Sequence, residues 1–137
     1  MANHWLLVSD KDTWATLVEK GFWKLGAYYR KRSRKIRKED KAVAYVKYLS
    51  AIYGIVNIKS EAYETKQDSK YPIMFDIEPD VFLSEPTSIK PLINNLSFVS
   101  NKRRWFSVFH TSLRRIPEKK DFELFREYII RESLKDE

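Results

Sequence analysis

An α+β fold with a curved, mostly antiparallel sheet is predicted by three features of the sequence. The apolar segments through its first two thirds are short and β-rich, helical patterns lie near its two ends, and polar turns separate the strands. The resulting order is strand, helix, four or so strands, and a terminal helix.

Each element has a local reason. "HWLLV" (His4 to Val8) is a short apolar run with polar flanks, the mark of a buried strand. "SDKDTWATLVEKG" reads as a helix that Ser9, Asp10 or Asp12 can cap. Trp14, Leu17 and Val18 share one face of it, and Gly21 supplies the stop. "GFWKLGAYYRKRSRKIRK" lacks clean periodicity beyond a turn near Tyr28 and reads mainly as a loop. "KAVAYVKYL" and "AIYGIVNIKS" are strands, with Gly54 marking a bulge or a close backbone approach. "SEAYETKQDSK" is polar and loop-like. "YPIMFDIEPDVFL" gives one or two strands in which Ile73, Phe75 and Ile77 alternate with Met74, Asp76 and Glu78. "SEPTSIKPLINNLSF" holds a single helical turn. "PEKKDFELFREYIIRES" is the clearest helix, with Pro117 near its start and Phe122, Phe125 and Ile129 on its apolar stripe.

The 137 residues suit one domain spanning 1–137, and 43% hydrophobic with 15% aromatic content supplies a core. The absence of Cys excludes disulfides and thiolate metal sites. No signal peptide or membrane span is apparent, so a cytoplasmic protein is expected. A formal charge of +7 favours anionic partners, nucleic acid before anionic membrane. Catalytic patterns are missing. His4 and His110 stand far apart, and three glycines build no phosphate loop. Asp76, Glu78 and Asp80, with Glu64 and Lys66, suggest a nuclease cluster, but Asp76 and Glu78 fall on the outward phase of a strand. No catalytic residue, metal or cofactor is expected.

The positive chemistry lies where rings meet cations. Seven Lys or Arg residues crowd Arg30 to Lys38, directly after Trp23, Lys24, Tyr28 and Tyr29. Further groups are Tyr63, Arg103-Arg104-Trp105 and Arg114-Arg115. Binding of nucleic acid without sequence readout requires cations for phosphates and flat rings for bases. Two readings stay open at this level. Trp23 and Trp105 are either core rings or stacking platforms, and the basic run is either a solvated loop or a phosphate-binding surface.

"HWLLVSDKDTW", "GFWKLGAYY", "DKAVAYV", "YGIVNIKSEAY", "YPIMFDIEP", "KPLINNLSFVSNKRRW" and "LRRIPEKKDFEL" resemble, in order and spacing, the EVE-domain family of small PUA-like proteins related to YTH domains. The resemblance covers nearly the whole chain. It implies a PUA-like β-barrel flanked by helices, no enzymatic activity, and a pocket for a flipped and often modified base. By the same resemblance Trp23 is one aromatic wall, Ser9 and Asp10 line the pocket, Tyr63 is a second wall, and Trp105 and Arg114 close the far side; Lys24 belongs beside Trp23. Arg30, Lys31, Arg32, Arg34, Lys35, Arg37 and Lys38, with Arg103 and Arg104, are then expected to hold phosphates. The indole of Trp23 is expected to face a slot open to solvent. The implied partner is RNA or DNA, single-stranded or looped, with no membrane and an undefined oligomeric state; the alternative is a PUA-like RNA-binding protein without selectivity for a modified base. Two departures stand out: Lys38-Glu39 replace the family's usual Pro-Gly, and His110 stands where the family often has Gly.

Overall fold

In the computed structural model, which describes residues 2–135, strand β1 (His4–Ser9) lies at the centre of the chain's packing because both of its faces are buried. That explains its unbroken apolar run. Leu6 and Val8 enter one core with Val43, Tyr45, Phe122 and Phe125, while Trp5 and Leu7 enter a second with Trp14, Trp23 and Phe75. The next elements are α1 (Lys11–Lys20), β2 (Phe22–Leu25), α2 (Arg30–Ser33), β3 (Lys41–Val46), β4 (Ala51–Ile58), β5 (Tyr63–Glu64), β6 (Ile73–Ser88), β7 (Leu113–Ile116) and α3 (Lys119–Lys135). Their sheet order is β2-β6-β4-β3-β1-β7, with β5 paired to β6. Among the described residues only β1 and β3 run parallel; the other pairs are antiparallel. The sheet curls, α3 covers one core and α1 the other.

The tryptophan-rich face has room because β3 presents only Ala42, Ala44 and Val46 to it. Alternation then sends Val43 and Tyr45 to the opposite side. Gly54 marks a close approach, as expected. A Cβ there would stand 2.3 Å from the Val81 carbonyl oxygen and 2.6 Å from Phe82 Cδ1. Phe82 packs in turn on Trp14, 6.1 Å between centroids.

Two local expectations are corrected and a third is narrowed, from one or two strands to one. The stretch read mainly as a loop contains β2, whose Trp23 pairs with Phe75, and the short helix α2. The segment of one or two strands is the single 16-residue strand β6. Its Pro79 sits beside a register shift, where a missing N–H costs the ladder least. The polar segment after β4 contributes the two-residue strand β5.

The departure at Lys38-Glu39 has a backbone consequence. Glu39 holds the left-handed conformation, φ 81°, while its N–H donates to the Ile58 carbonyl at 3.1 Å. A side chain there costs about 1–2 kcal/mol, partly offset by the greater chain entropy of glycine. Glu39→Gly is therefore expected to raise stability by about 1 kcal/mol in urea denaturation; a loss of stability would show that the turn is not strained.

Candidate nucleic-acid interface

The end of β1 and the start of α1 form one wall of a cavity of about 220 Å3. Ser9 and Asp10 line it, and Asp10 is also the N-cap of α1. Its two carboxylate oxygens accept from the Thr13 backbone N–H at 2.8 Å and the Thr13 hydroxyl at 2.9 Å. The backbone bond holds the Asp10 carboxyl below its ordinary range. The cap's contribution is thus complete above the unfolded value of about 3.9 and is lost as pH falls through the lower folded value.

β2 supplies the next wall, Trp23 and Lys24. Trp23 is only 2% exposed, which corrects the expectation of an indole open to solvent. Its ring packs on Trp14, centroids 4.4 Å apart, and Trp14 is fixed by a 2.9 Å hydrogen bond from its indole N–H to the Tyr45 carbonyl. The Trp23 indole nitrogen is itself buried with no acceptor among the described residues. Such an orphan donor costs about 1–3 kcal/mol.

The remaining wall comes from residues that the sequence did not single out. Tyr71, Lys47 and Ser112 face the same cavity. Tyr71 is set by its neighbours: Asp68 Oδ1 accepts from its N–H at 3.1 Å, and Pro72 restricts its backbone to extended conformations. Lys24 Nζ lies 4.8 Å from its ring centroid and Lys70 Nζ 5.5 Å. One signal was available. The alternation that buries Ile73 and Phe75, continued backwards, puts Tyr71 in the same phase. Cavity, aromatic residues and cations therefore sit together, with Tyr71 and Trp23 lining the same cavity.

The other sequence-predicted residues lie elsewhere. Tyr63 lines a separate cavity of about 340 Å3 with Arg30 and Arg34, and its hydroxyl donates to Asp76 at 2.9 Å. Trp105 packs against the core that α3 also covers, 6.1 Å from Phe109. Arg114 lies over the Phe98 ring at 5.6 Å, with its Nε buried and unpartnered among the described residues. Burial and the nearby Arg32 guanidinium both lower its pKa. Two like charges drawn together without a carboxylate are better suited to an anion than to each other.

The basic segment divides into anchors and free cations. Arg32 donates to the Leu113 carbonyl at 2.6 Å, Arg37 to the Arg34 and Ile36 carbonyls, and Arg30 to Glu64. Buried Ile36 and Ser33 pin the segment to the fold. Lys31, Arg34, Lys35 and Lys38 make no ion pair among the described residues, and neither do Arg103 and Arg104. The Tyr29 hydroxyl accepts from the Ser112 N–H at 2.9 Å, and Ser112 faces the cavity. The basic segment is thereby fastened one residue from the cavity wall. Among the described residues no group of three His, Cys, Asp or Glu could hold a metal, and no helix is long and apolar enough to cross a membrane.

A curled mixed sheet with flanking helices is the PUA-like architecture, and here it carries a ring-lined cavity beside a cationic segment. The EVE domain model matches residues 3–127, and the chain belongs to that family. It is 30% identical to a UPF0310 protein of Pyrococcus abyssi, over 89% of this chain and 96% of that protein. Its fold is shared with human THYN1, solved in complex with DNA containing 5-methylcytosine, at 14% identity and TM-score 0.66, over 93% of this chain and 98% of that one. The YTH domain of Zygosaccharomyces rouxii MRB1, solved in complex with N6-methyladenosine RNA, aligns at 16% identity and TM-score 0.63, over 91% and 87%.

Proposed function

We propose that this protein is a non-enzymatic, cytoplasmic reader of single-stranded nucleic acid that takes one flipped, modified base into the Trp23–Tyr71 cavity. The carrying observation is the juxtaposition of two aromatic side chains, Lys24 and Lys47 around one cavity. The complexes formed by the structural neighbours, methylated DNA for one and methylated RNA for another, support the same reading.

Magnitudes say what sets selectivity. Burying an added methyl contributes about 0.8 kcal/mol, a preference of roughly fourfold. A hydrogen bond between the base and an ionised group on the wall, Asp10, Lys24 or Lys47, is worth about 1.5–3 kcal/mol. Polar complementarity therefore chooses the base, and the methyl refines the choice. Extrusion costs a few kcal/mol and least for an unpaired base, so single strands and loops bind best.

Lys31, Arg34 and Lys35 supply phosphate contacts in this reading. Neutralising all three to Gln is expected to flatten the dependence of log K on log salt by about 2 units, since each phosphate contact on a single strand contributes about 0.7. An unchanged slope in fluorescence anisotropy would assign these cations to solvent. Nucleoside mass spectrometry of nucleic acid co-purifying with the protein tests the base itself. Enrichment of one modified nucleoside is the expected result, and a composition equal to bulk nucleic acid would overturn selectivity.

A further inference from the structure

A second cavity, of about 290 Å3, adjoins the first through a shared side chain. Tyr45, Tyr48, Phe106, Phe109 and His110 surround it, and Lys47 lines both cavities. The floor is rigid: the Tyr45 and Phe109 rings stack at 4.4 Å and 13°. Residue 45 also ties the two sites together, because its carbonyl holds Trp14 beneath Trp23 while its ring faces the opposite core. The Lys47 N–H donates to the Ser9 carbonyl at 3.0 Å, which fixes its origin on the wall of the first cavity.

The rim is unlike a solvated hairpin. Tyr48 is 87% exposed and Phe106 50% exposed, so two large rings stand in water at the mouth of the cavity. Tyr48 has φ 73° and Ser50 φ 50°, left-handed conformations that a bulky ring adopts only at a cost. Lys47 Nζ lies 5.3 Å from the Tyr48 ring centroid. Strain, exposure and a neighbouring cation converge on one short turn. Arg103 and Arg104 immediately precede the 3-10 turn that carries Phe106 and Phe109.

We propose that this second cavity stacks the nucleobase adjacent, along the strand, to the one held beside Trp23, with Lys47 on the phosphate between them. The inference rests on the base-reading function above and gives it a footprint of two nucleotides. Flat rings suit any base, so this subsite adds affinity and orientation, while choice stays with the first cavity. His110, 6.1 Å from Phe106 and nearly perpendicular to it, extends the ring surface where a glycine would leave a gap.

The test uses single-stranded 9-mers with a central 5-methylcytosine (DNA) or N6-methyladenosine (RNA), each made also with an abasic residue on one side or the other of the centre. For the wild type, one flanking abasic site is expected to weaken binding about tenfold. Tyr48→Asn is expected to weaken binding of the intact 9-mer similarly and to abolish the penalty of that abasic site. Asn tolerates the left-handed conformation, so this variant should melt no lower than the wild type. Phe106→Ser, outside the strained turn, is expected to show the same loss of penalty. Retained preference for the methylated centre in both variants marks an intact first cavity. Equal penalties in wild type and variants, or no penalty at either flank, would overturn the second subsite while leaving the first. A wild type that binds none of these 9-mers would overturn both.

Discussion

Tyr71→Ala is expected to lower affinity for a single strand carrying the preferred base about 10- to 100-fold while leaving the salt slope unchanged. A stacked base contributes about 1–3 kcal/mol, and this ring is the wall of the first cavity that can be removed without emptying the core. Its side chain is partly buried in a loop rather than locked into either hydrophobic cluster. The cations near it, Lys24 and Lys70, remain in the variant, so the phosphate contribution persists. Trp23→Ala is a poorer experiment. Removing a tryptophan that is fully packed on Trp14 costs about 3–5 kcal/mol, and any loss of binding would be confounded with unfolding. Anisotropy titrations at several salt concentrations separate the two components. Unchanged affinity for Tyr71→Ala would remove that ring from the binding site.

Asp40→Ala is expected to destabilise the fold by at least about 3 kcal/mol. The carboxylate is 1% exposed and accepts three hydrogen bonds: from the Asn3 N–H at 2.8 Å, the Trp5 indole N–H at 2.9 Å and the Arg37 N–H at 3.0 Å. Alanine leaves those donors unpaired, and each buried one costs about 1–3 kcal/mol. The effect reaches the interface because the Arg37 bond is the far anchor of the basic segment, whose near anchor is Arg32 on Leu113. A variant stable enough to assay should therefore also bind with a shallower salt dependence. Urea denaturation decides the first point; a loss under about 1 kcal/mol would show that the donors find other partners.

The legible parts of the fold were those with a period or a cap. Alternation found β6 through Ile73, Phe75 and Ile77, spacing found α1 and α3, and the close approach at Gly54 followed from its place inside a strand pattern. β2 escaped because four residues carry too little alternation, and its stability comes from pairing with β6, roughly 50 residues away. β6 runs through prolines at 79 and 86, and the irregular pairing with β4 accommodates them. For the site, Ser9, Asp10, Trp23 and Lys24 were named from the family resemblance, and they line one cavity. Tyr71, Lys47 and Ser112 arrive from three other segments, and only the sheet brings them there. Tyr63 drew attention as the ring in the polar loop, whereas the ring that reaches the cavity stands eight residues later.

We propose entry of a base into the cavity that Trp23 and Tyr71 line. Its most direct measurement compares two single-stranded 9-mers that differ at the central nucleotide alone, one carrying the modified base and the other an abasic residue with the same phosphates. At least about tenfold weaker binding of the abasic strand by the wild type is expected, with a much smaller difference for Tyr71→Ala. Equal affinity of the wild type for the two strands would contradict it.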